Sequence, residues 1–383
     1  MSKKSILAMV LLVLSLALVG CTQTPSSTPS SSTPESSGTP SSTAEIPEFV
    51  MAWGSELHTG VMNLTVGRPE AFADNDVHFD IIDPANFDLV KDGEVIAHLQ
   101  FVLSKGGSEV ATMFGQGHLD FGFSSNTAIL SAVDAGTKVR ILSPMQAEGI
   151  ALVFPPESEL SDWDSFVEHL NNTPDPVRIG YHSPVSAPRI VLEYVLKSEG
   201  ISVTQDPNDG EADVLLVDLK GASNLLPSLT GQVVDAWVGP AHYPEEAEVQ
   251  NLGKVVLTLQ SFPGEWAGFP CCVFSARQEI IDNYPEVCQA LTQIVHDCMV
   301  YATDHREELS EVIFERLGIS AEAVMNSEIV FSTDPTEKWF SDIGIYYDAM
   351  QSMNQFSGAF AEASFADARA LFTDFQFIEN IAQ

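Results

Sequence analysis

Two clusters of polar side chains each follow an apolar run typical of a buried strand and precede an apolar pattern typical of a helix. The first turn of a helix presents unpaired backbone N–H groups, which attract anionic or hydrogen-bonding ligands. We therefore interpret both clusters as ligand-binding helix starts, with simple N-capping as the alternative. The clusters are Ser124, Ser125, Asn126 and Thr127 in the first case and His182, Ser183 and Ser186 in the second.

Lysine, glycine, serine and aspartate recur at equal spacing in two parts of the chain. Lys105-Gly-Gly-Ser precedes Asp120, and Lys220-Gly-Ala-Ser precedes Asp235 at the same distance. Each unit is typical of a strand, a glycine turn, a serine N-cap and a short helix that leads to the next strand. We interpret the match as a repeated βα unit. Both lysines then lie at strand ends, and Arg189 lies in the first turn of the helix opened by Ser186. These cations favour a small oxyanion as the ligand, unless the lysines are exposed turn residues.

Aromatic side chains offer a different kind of pocket. Trp53, Tyr181, Trp237 and Trp266 would suit a heterocycle or a cationic group, which the acidic surroundings would also favour, or they belong to an ordinary core. We keep Trp53 and Trp237 as candidate ligand-binding residues. His58, in the polar stretch that follows Trp53, is a further candidate.

Four cysteines follow Cys21. Cys288 and Cys298 recur with apolar residues at helical spacing and are predicted to be core residues, about 15 Å apart along one helix and too distant for a disulfide. Cys271 and Cys272 are adjacent in an apparent strand, where successive side chains point to opposite faces. They are either two small buried residues or a vicinal disulfide or metal site.

Motifs for catalysis are missing from the sequence. It contains no Gly-x-Ser-x-Gly elbow and no His-Glu-x-x-His zinc signature. Nine histidines are scattered, and His296 and Cys298 do not share a helix face. We predict a binding protein and not an enzyme, with no catalytic residue, no metal ion and no cofactor.

Composition excludes one class of partner. The chain of 383 residues has 53 Asp and Glu against 17 Lys and Arg, a formal net charge of −36. Nucleic-acid binding needs clustered positive charge, so we expect no nucleic-acid partner. With 45% hydrophobic and 18% charged residues, the chain is able to bury a large core, and its size predicts two lobes.

The amino-terminal segment has the features of an export signal. Lys3 and Lys4 precede the apolar run Ile6–Val19, which leads to Leu-Val-Gly-Cys at residues 18–21. This sequence resembles a bacterial lipobox, so we predict a signal peptide over 1–21 with lipid attached at Cys21. An uncleaved anchor would need a run of about 20 apolar residues. Residues 22–44, rich in Ser, Thr and Pro, are then a tether on the outer side of the cell membrane, facing the periplasm or the exterior.

From residue 45 onward, short apolar strands alternate with amphipathic helices, which predicts an α/β fold with a mostly parallel sheet. Open α/β sheets bind ligands at the carboxyl ends of their strands, and two lobes would face each other there. The predicted strands are 96–104, 119–123, 139–142, 177–181, 201–204, 212–219 and 233–238; the predicted helices are 108–114, 126–135 and 186–199, with others from Ser223 and near Pro285.

Several segments in order resemble a known family. They are Gly117–Phe123 with the Ser-Ser-Asn-Thr helix start, Val139–Leu142, Gly149–Phe154 and Val177–Tyr181 with the helix after Ser186. Together they resemble the extracytoplasmic solute-binding lipoproteins of ABC importers, in the nitrate, sulfonate and taurine group, which also contains binders of thiamine pyrimidine precursors.

The resemblance implies a two-lobed, type II periplasmic-binding-protein fold with two crossover strands. The crossovers would lie near 149–154 and 269–275, so that lobe 1 combines 45–150 with 275–383 and lobe 2 spans 151–274. The lobes would close on a small solute and deliver it to ABC permease subunits. The alternatives are a binder of a pyrimidine precursor or other heterocycle, an enzyme of the pyrimidine synthase branch, or a sensor built on the same body.

Overall fold

The computed structural model describes residues 45–381, which form two β-sheets covered by helices. Cys21 and the predicted tether lie outside the described residues. The strands are β1 (Glu48–Gly54), β2 (Val77–Asp83), β3 (Asn86–Lys91), β4 (Glu94–Ser104), β5 (Phe121–Ser125), β6 (Val139–Ala147), β7 (Ile150–Phe154), β8 (Val177–Tyr181), β9 (Val203–Thr204), β10 (Val214–Asp218), β11 (Ala236–Pro240), β12 (Lys254–Thr258), β13 (Pro270–Arg277) and β14 (Val330–Phe331).

The helices lie in the connections between these strands and in the carboxyl-terminal part of the chain. Across residues 45–381, no helix has the length and apolar character needed to cross a bilayer. The helices are α1 (Leu57–Gly60), α2 (Asn63–Gly67), α3 (Gly107–Gln116), α4 (Asn126–Asp134), α5 (Trp163–Asn172), α6 (Ala187–Ser198), α7 (Leu225–Thr230), α8 (Tyr243–Val249), α9 (Gln278–Asn283), α10 (Pro285–Asp304), α11 (Arg306–Leu317), α12 (Ala321–Asn326), α13 (Glu337–Ser352), α14 (Phe365–Phe372) and α15 (Gln376–Ile381).

The first sheet has the strand order β14-β6-β13-β5-β1-β4-β3-β2. Only the central strands β4, β1 and β5 run parallel to one another. β2, β3 and β4 pair antiparallel, as do β5, β13, β6 and β14. The prediction of a mostly parallel sheet is therefore wrong here, because hairpins and a returning strand occupy both flanks.

The second sheet has the order β12-β7-β11-β8-β10-β9. Its centre repeats the first: β8 pairs parallel with β10 on one side and with β11 on the other. β7 and β12 are antiparallel additions at one edge. Each sheet thus contains a parallel triplet of strands, β4-β1-β5 in the first sheet and β10-β8-β11 in the second. In each triplet the two outer strands follow one another in the chain and are joined by a helix.

The chain passes between the sheets twice. β6 ends at Ala147 in the first sheet and β7 begins at Ile150 in the second, through Glu148 and Gly149, which both have positive φ angles of 66° and 70°. It returns through residues 259–269 to β13, which pairs in the first sheet from Pro270 onward. This arrangement confirms the predicted two-sheet α/β fold class.

Equivalent aspartates stabilise the two triplets. Asp120, just before β5, accepts a hydrogen bond at 2.8 Å from the Val50 N–H of β1 and pairs with Arg277. Asp235, just before β11, accepts one at 2.9 Å from the Arg178 N–H of β8 and pairs with the Arg178 guanidinium. The spacing match in the sequence thus corresponds to the same contact in each sheet.

The serines of the matched units do not act as the predicted N-caps. The glycine turns are present, with φ angles of 125° at Gly106 and 141° at Gly221. Gly106 itself occupies the N-cap position of α3, which leaves Ser108 inside the helix, and Ser223 lies in a 3₁₀ turn that precedes α7. The glycine conformation already turns the chain into each helix, so a side-chain cap is not required.

The remaining boundaries differ from prediction by a few residues. β5 extends to Ser125 because Ser124 and Ser125 pair with Val273 and Cys272 of β13. Cys288 and Cys298 are buried on α10 with free thiols, as predicted from their helical spacing.

The Asp235–Arg178 contact gives a prediction about stability. Burial tends to raise the pKa of Asp235, but hydrogen bonds from Arg178 lower it below the ordinary value of 3.8. Because the pair is half-exposed, we expect Asp235→Asn to reduce the free energy of unfolding by only about 1 kcal/mol at pH 7. The stabilisation is present above the ordinary pKa and is lost as pH falls through the lowered one, so the difference from wild type should shrink in acid.

Urea unfolding at pH 7 and pH 3 checks this, with the exposed Asp348→Asn on α13 as the control. An equal loss of stability at both pH values would contradict the role of the carboxylate.

Candidate functional site

A small cavity of about 20 Å³, room for about one water molecule, lies where the carboxyl ends of the two parallel triplets meet. The polar groups around it come from residues that follow β1 and β8, from the last residue of β5, and from the start of β13, which pairs antiparallel with β5. Its lining residues are Glu56, His58, Gly107, Ser125, His182, Ser186, Ala187, Pro188, Pro240, Cys271 and Cys272.

His58 is the most connected side chain at this cavity, and it is almost completely buried. Its Nε2 lies 2.9 Å from the carbonyl oxygen of Gly149, to which it donates. Its Nδ1 lies 2.9 Å from Nε2 of Gln146 and 3.3 Å from Sγ of Cys271. One ring nitrogen thus contacts the link between the sheets, and the other faces the cysteines.

The two cysteines lie on the same side of β13, contrary to the prediction that neighbouring side chains point to opposite faces. Sγ of Cys272 is 3.8 Å from Sγ of Cys271 and 4.0 Å from Nδ1 of His58. The physical reason is a β-bulge: Pro270 pairs with Ala147 and Cys272 with the next residue, Gln146, so that one residue of β13 has no counterpart. The bulge breaks the strict alternation of the strand.

Burial and mutual contact perturb the ionisation of these groups. A hydrogen bond from Cys272 and the charge of His58 hold the pKa of the Cys271 thiol well below its usual range, despite desolvation. Burial raises the pKa of Cys272. Burial alone would lower the pKa of His58, but its contacts with Cys271 and Glu56 raise it. These directions favour a Cys271 thiolate beside a His58 imidazolium.

The residues of the first predicted cluster are brought together next to β13, but only Ser125 lines the cavity. The Ser125 hydroxyl caps α4 by accepting from the Ala128 N–H at 3.3 Å. The amide of Asn126 donates to the carbonyl of Cys271 at 3.0 Å and so fixes the bulge. Ser124 is buried within the sheet.

The second predicted cluster approaches the first across the cavity. His182 and Ser186 line the cavity, and the Ser183 hydroxyl shares a hydrogen bond of 2.5 Å with Ser108 of α3. The Thr127 hydroxyl donates to the Val185 carbonyl at 2.6 Å. Both of these contacts join residues attached to different sheets. Ser186 makes no side-chain cap to α6; its hydroxyl bonds to the Ser183 carbonyl instead.

The structure does not bring the predicted cations to this cavity. Lys105 is exposed, and Lys220, with 78% of its side chain exposed, pairs with Asp218 at 2.5 Å. Arg189 is buried, but its guanidinium is bound by Glu193 and by the Pro184 carbonyl. Among the described residues, no Lys or Arg lines the cavity.

The aromatic candidates lie in the cores instead. Trp53 packs against Phe101, with ring centroids 4.1 Å apart, and is fully buried. Trp237 is likewise fully buried in the second sheet, and neither indole lines the cavity. Of the residues that sequence reasoning proposed for the ligand, His58, Ser125, His182 and Ser186 are the ones that do.

Sequence reasoning missed Gln146 and His242. Gln146 is the penultimate residue of β6 and lies beside His58, and His242 follows β11 at the place equivalent to the residues after β5. Burial lowers the pKa of His182 and of His242 to about 4, so both rings are neutral at pH 7. Within residues 45–381, the Nδ1 atoms of both rings and Oε1 of Gln146 are buried without a hydrogen-bond partner. Position after a strand was the only sequence signal for His242.

Fold and site together define a two-sheet periplasmic-binding-protein architecture with a polar cavity at the facing strand ends. The nitrate-binding protein NrtA of Synechocystis shares it, with a TM-score of 0.65 at 12% identity over 88% of this chain and 89% of that one. The alkanesulfonate-binding protein SsuA of Xanthomonas axonopodis, bound to MOPS, gives a TM-score of 0.60 at 12% identity over 82% and 96% of the two chains.

Sequence comparison identifies the family. The model of the NMT1-like family matches residues 91–315, more than half of the chain, and the chain belongs to that family. A nitrate import ATP-binding protein of Synechocystis, NrtC, is 28% identical over 160 residues, which are 40% of this chain. The match spans only 22% of that relative's length.

The close approach of His58 to the link gives a prediction about Gly149. A Cβ at Gly149 would lie 2.7 Å from Nε2 of His58, in a backbone conformation with φ of +70°. We expect Gly149→Ala to lower the free energy of unfolding by about 1–2 kcal/mol through backbone strain, and further through crowding of the buried ring.

Gly136→Ala is the matched control, because Gly136 has φ of +94° and no atom within 4 Å of the added Cβ. Chemical denaturation of both variants should show the larger loss for Gly149→Ala. Equal losses would mean that the His58 ring moves aside without cost.

Proposed function

We propose that this protein is the solute-binding component of an ABC importer and that its solute binds between the two sheets, at the small cavity, which widens when the sheets move apart. Support comes from the NMT1-like family match and from a fold shared with nitrate- and sulfonate-binding proteins. The single observation that carries the location is Nδ1 of His182, a buried polar atom without a hydrogen-bond partner among the described residues, on a residue that lines the cavity. Buried polar atoms require partners, and a polar solute would provide them. This is a binding role and not a catalytic one.

For the class of solute, we propose a small oxyanion such as nitrate, a sulfonate or a carboxylate. The amino terminus of α4 at Ser125 and that of α6 at Ser186 converge on the cavity, so both positive helix ends point at one place. His58, whose pKa is raised, is the cation available there. The burial of Trp53 and Trp237 away from the cavity gives no comparable support to a heterocycle.

We further propose that the chain divides into lobe 1, residues 45–150 plus 275–383, and lobe 2, residues 151–274. The two sheets support this division. They place the return to lobe 1 at Pro270, where β13 begins, a few residues before the proposed boundary at 274/275. Contacts between the lobes, such as the hydroxyl of Ser320 donating to Glu246 at 2.7 Å, would form on closure.

Membrane attachment through lipid at Cys21 also belongs to the proposal. The charged start, the apolar run and the lipobox support it, followed by the tether of residues 22–44. The body would then stand on the outer face of the membrane and meet the ABC permease subunits there.

A thermal-shift screen tests the solute. We expect an anion among nitrate, alkanesulfonates, taurine, bicarbonate and small carboxylates to stabilise residues 45–383, by about 2.7 kcal/mol at 100 times its Kd. Loss of a buried hydrogen bond costs about 1–3 kcal/mol, so His182→Leu should weaken binding about tenfold or more. The exposed His118→Leu is the control.

Stabilisation only by amines or by pyrimidine precursors would contradict the oxyanion, and an unchanged Kd in His182→Leu would move the site elsewhere.

Closure of the lobes is tested by small-angle scattering. A solute that contacts both sides favours the conformation in which Ser108 and Ser183 meet, so the radius of gyration should fall at saturation. His182→Leu at the same solute concentration should show a smaller change. Superimposable wild-type curves with and without a solute of proven binding would count against closure.

A further inference from the structure

We propose that His58, Cys271 and Cys272 form a binding site for one thiophilic metal ion, of the class of Zn²⁺ or Cd²⁺. The importer function uses neither cysteine. The sequence left a metal site at Cys271 and Cys272 open but did not connect them with His58, which lies more than 200 positions away. The inference goes beyond the proposed function: the two share His58, but the metal site rests on the cysteines and is tested separately from the oxyanion.

The three ligand atoms are spaced as a single tetrahedral ion requires. Zn–S bonds of about 2.3 Å and Zn–N bonds of about 2.0–2.1 Å place two sulfurs about 3.8 Å apart and a sulfur and a nitrogen about 3.5 Å apart. Here the two Sγ atoms are 3.8 Å apart, and Nδ1 of His58 is 3.3 Å from one and 4.0 Å from the other. All three ligand atoms lie within 4.8 Å of one another.

The imidazole is already oriented as a ligand. Nε2 of His58 donates to the Gly149 carbonyl at 2.9 Å, so that Nδ1, once it has lost its proton, presents its lone pair on the side of the sulfurs. A carbonyl partner on the second ring nitrogen is the arrangement that fixes metal-bound histidines. Asn126 holds the backbone of the cysteines through its bond to the Cys271 carbonyl at 3.0 Å.

A disulfide is the competing use of two adjacent thiols. The two Sγ atoms lie 3.8 Å apart, well beyond the S–S bond length of about 2.05 Å, and both cysteines are free thiols in the structure.

The donor set determines the class of ion. Two sulfurs and one imidazole are soft to borderline ligands, which favour Zn²⁺ and Cd²⁺ over Mg²⁺ or Ca²⁺. Binding of the ion would release two protons to solvent, one from the Cys271–His58 pair and one from the Cys272 thiol, and leave two metal–thiolate bonds and a neutral imidazole ligand. Because all three residues line the cavity, the fourth coordination position faces it.

Titration of the reduced full chain with Cd²⁺ tests the site, because cadmium–thiolate bonds absorb in the ultraviolet. Every sample carries Cys21→Ser and is kept in detergent with a thiol-free reductant, so that the metal meets only the four buried cysteines. We expect saturation at one equivalent and displacement by Zn²⁺.

Cys271→Ser and Cys272→Ser should each weaken Cd²⁺ binding by more than the roughly 10–100-fold typical of a lost outer-shell partner. His58→Gln should weaken binding and keep the thiolate absorption. The double variant Cys288→Ala/Cys298→Ala, also at buried cysteines, should bind like wild type. Circular dichroism checks that each variant is folded.

No thiolate absorption in the reduced wild type would overturn the proposal, as would unchanged binding in the folded Cys271→Ser variant. Cysteines 271 and 272 that form a disulfide resistant to mild reductant would overturn it as well. Absence of metal binding would leave the solute screen unaffected, and a failed solute screen would not alter the metal result.

Discussion

The parallel pairing of one central strand with its two neighbours in each sheet is the constraint on which the rest of the structure depends. It aligns the carboxyl ends of β1 and β5 at one edge of the first sheet and those of β8 and β11 at one edge of the second. The polar groups that these strands bring to the cavity lie at or just after those ends. Asp120 and Asp235 hold the flanking strands to the central ones by the same backbone contact, and so they set the register that places the ends together.

Much of the fold could be predicted from local patterns. Alternating strands and helices, the glycine turns at Gly106 and Gly221, and the helical spacing of Cys288 and Cys298 all depend on neighbours within a few residues. Predicted boundaries were wrong where pairing with a strand distant in the sequence determines the end of an element. Ser124 and Ser125, for example, continue β5 because β13 lies beside them. Hairpins at the flank of the first sheet were missed for the same reason.

The candidate site was predictable only in part. His182, Ser186 and Ser125 follow strands, so their position was visible in the sequence. The contact of His58 with Cys271 joins residues that are distant in the chain, and the bulge that turns both thiols to one side is a property of strand register and not of composition. The prediction that Lys105 and Lys220 reach the ligand site failed because a position after a strand does not fix the direction of a long side chain. Lys220 forms a salt bridge with the nearby Asp218 instead.

Charge is distributed unevenly between surface and cavity. A chain with a formal net charge of −36 repels anions at long range, yet the cavity lies beneath that surface and contains helix amino termini and histidines. Salt screens the long-range repulsion over about 8–10 Å, whereas short contacts inside the cavity are little affected. Capture of an anion would therefore depend on ionic strength mainly through its rate of entry.

His58 touches the cavity with one ring nitrogen and the link between the sheets with the other. A proton, anion or metal ion that binds at Nδ1 changes the acidity of the Nε2–H group, which donates a hydrogen bond to the Gly149 carbonyl. Glu148 and Gly149 are the residues whose left-handed conformation lets the chain leave one sheet for the other. A single imidazole thus connects whatever occupies the cavity with the link through which the chain passes from one sheet to the other.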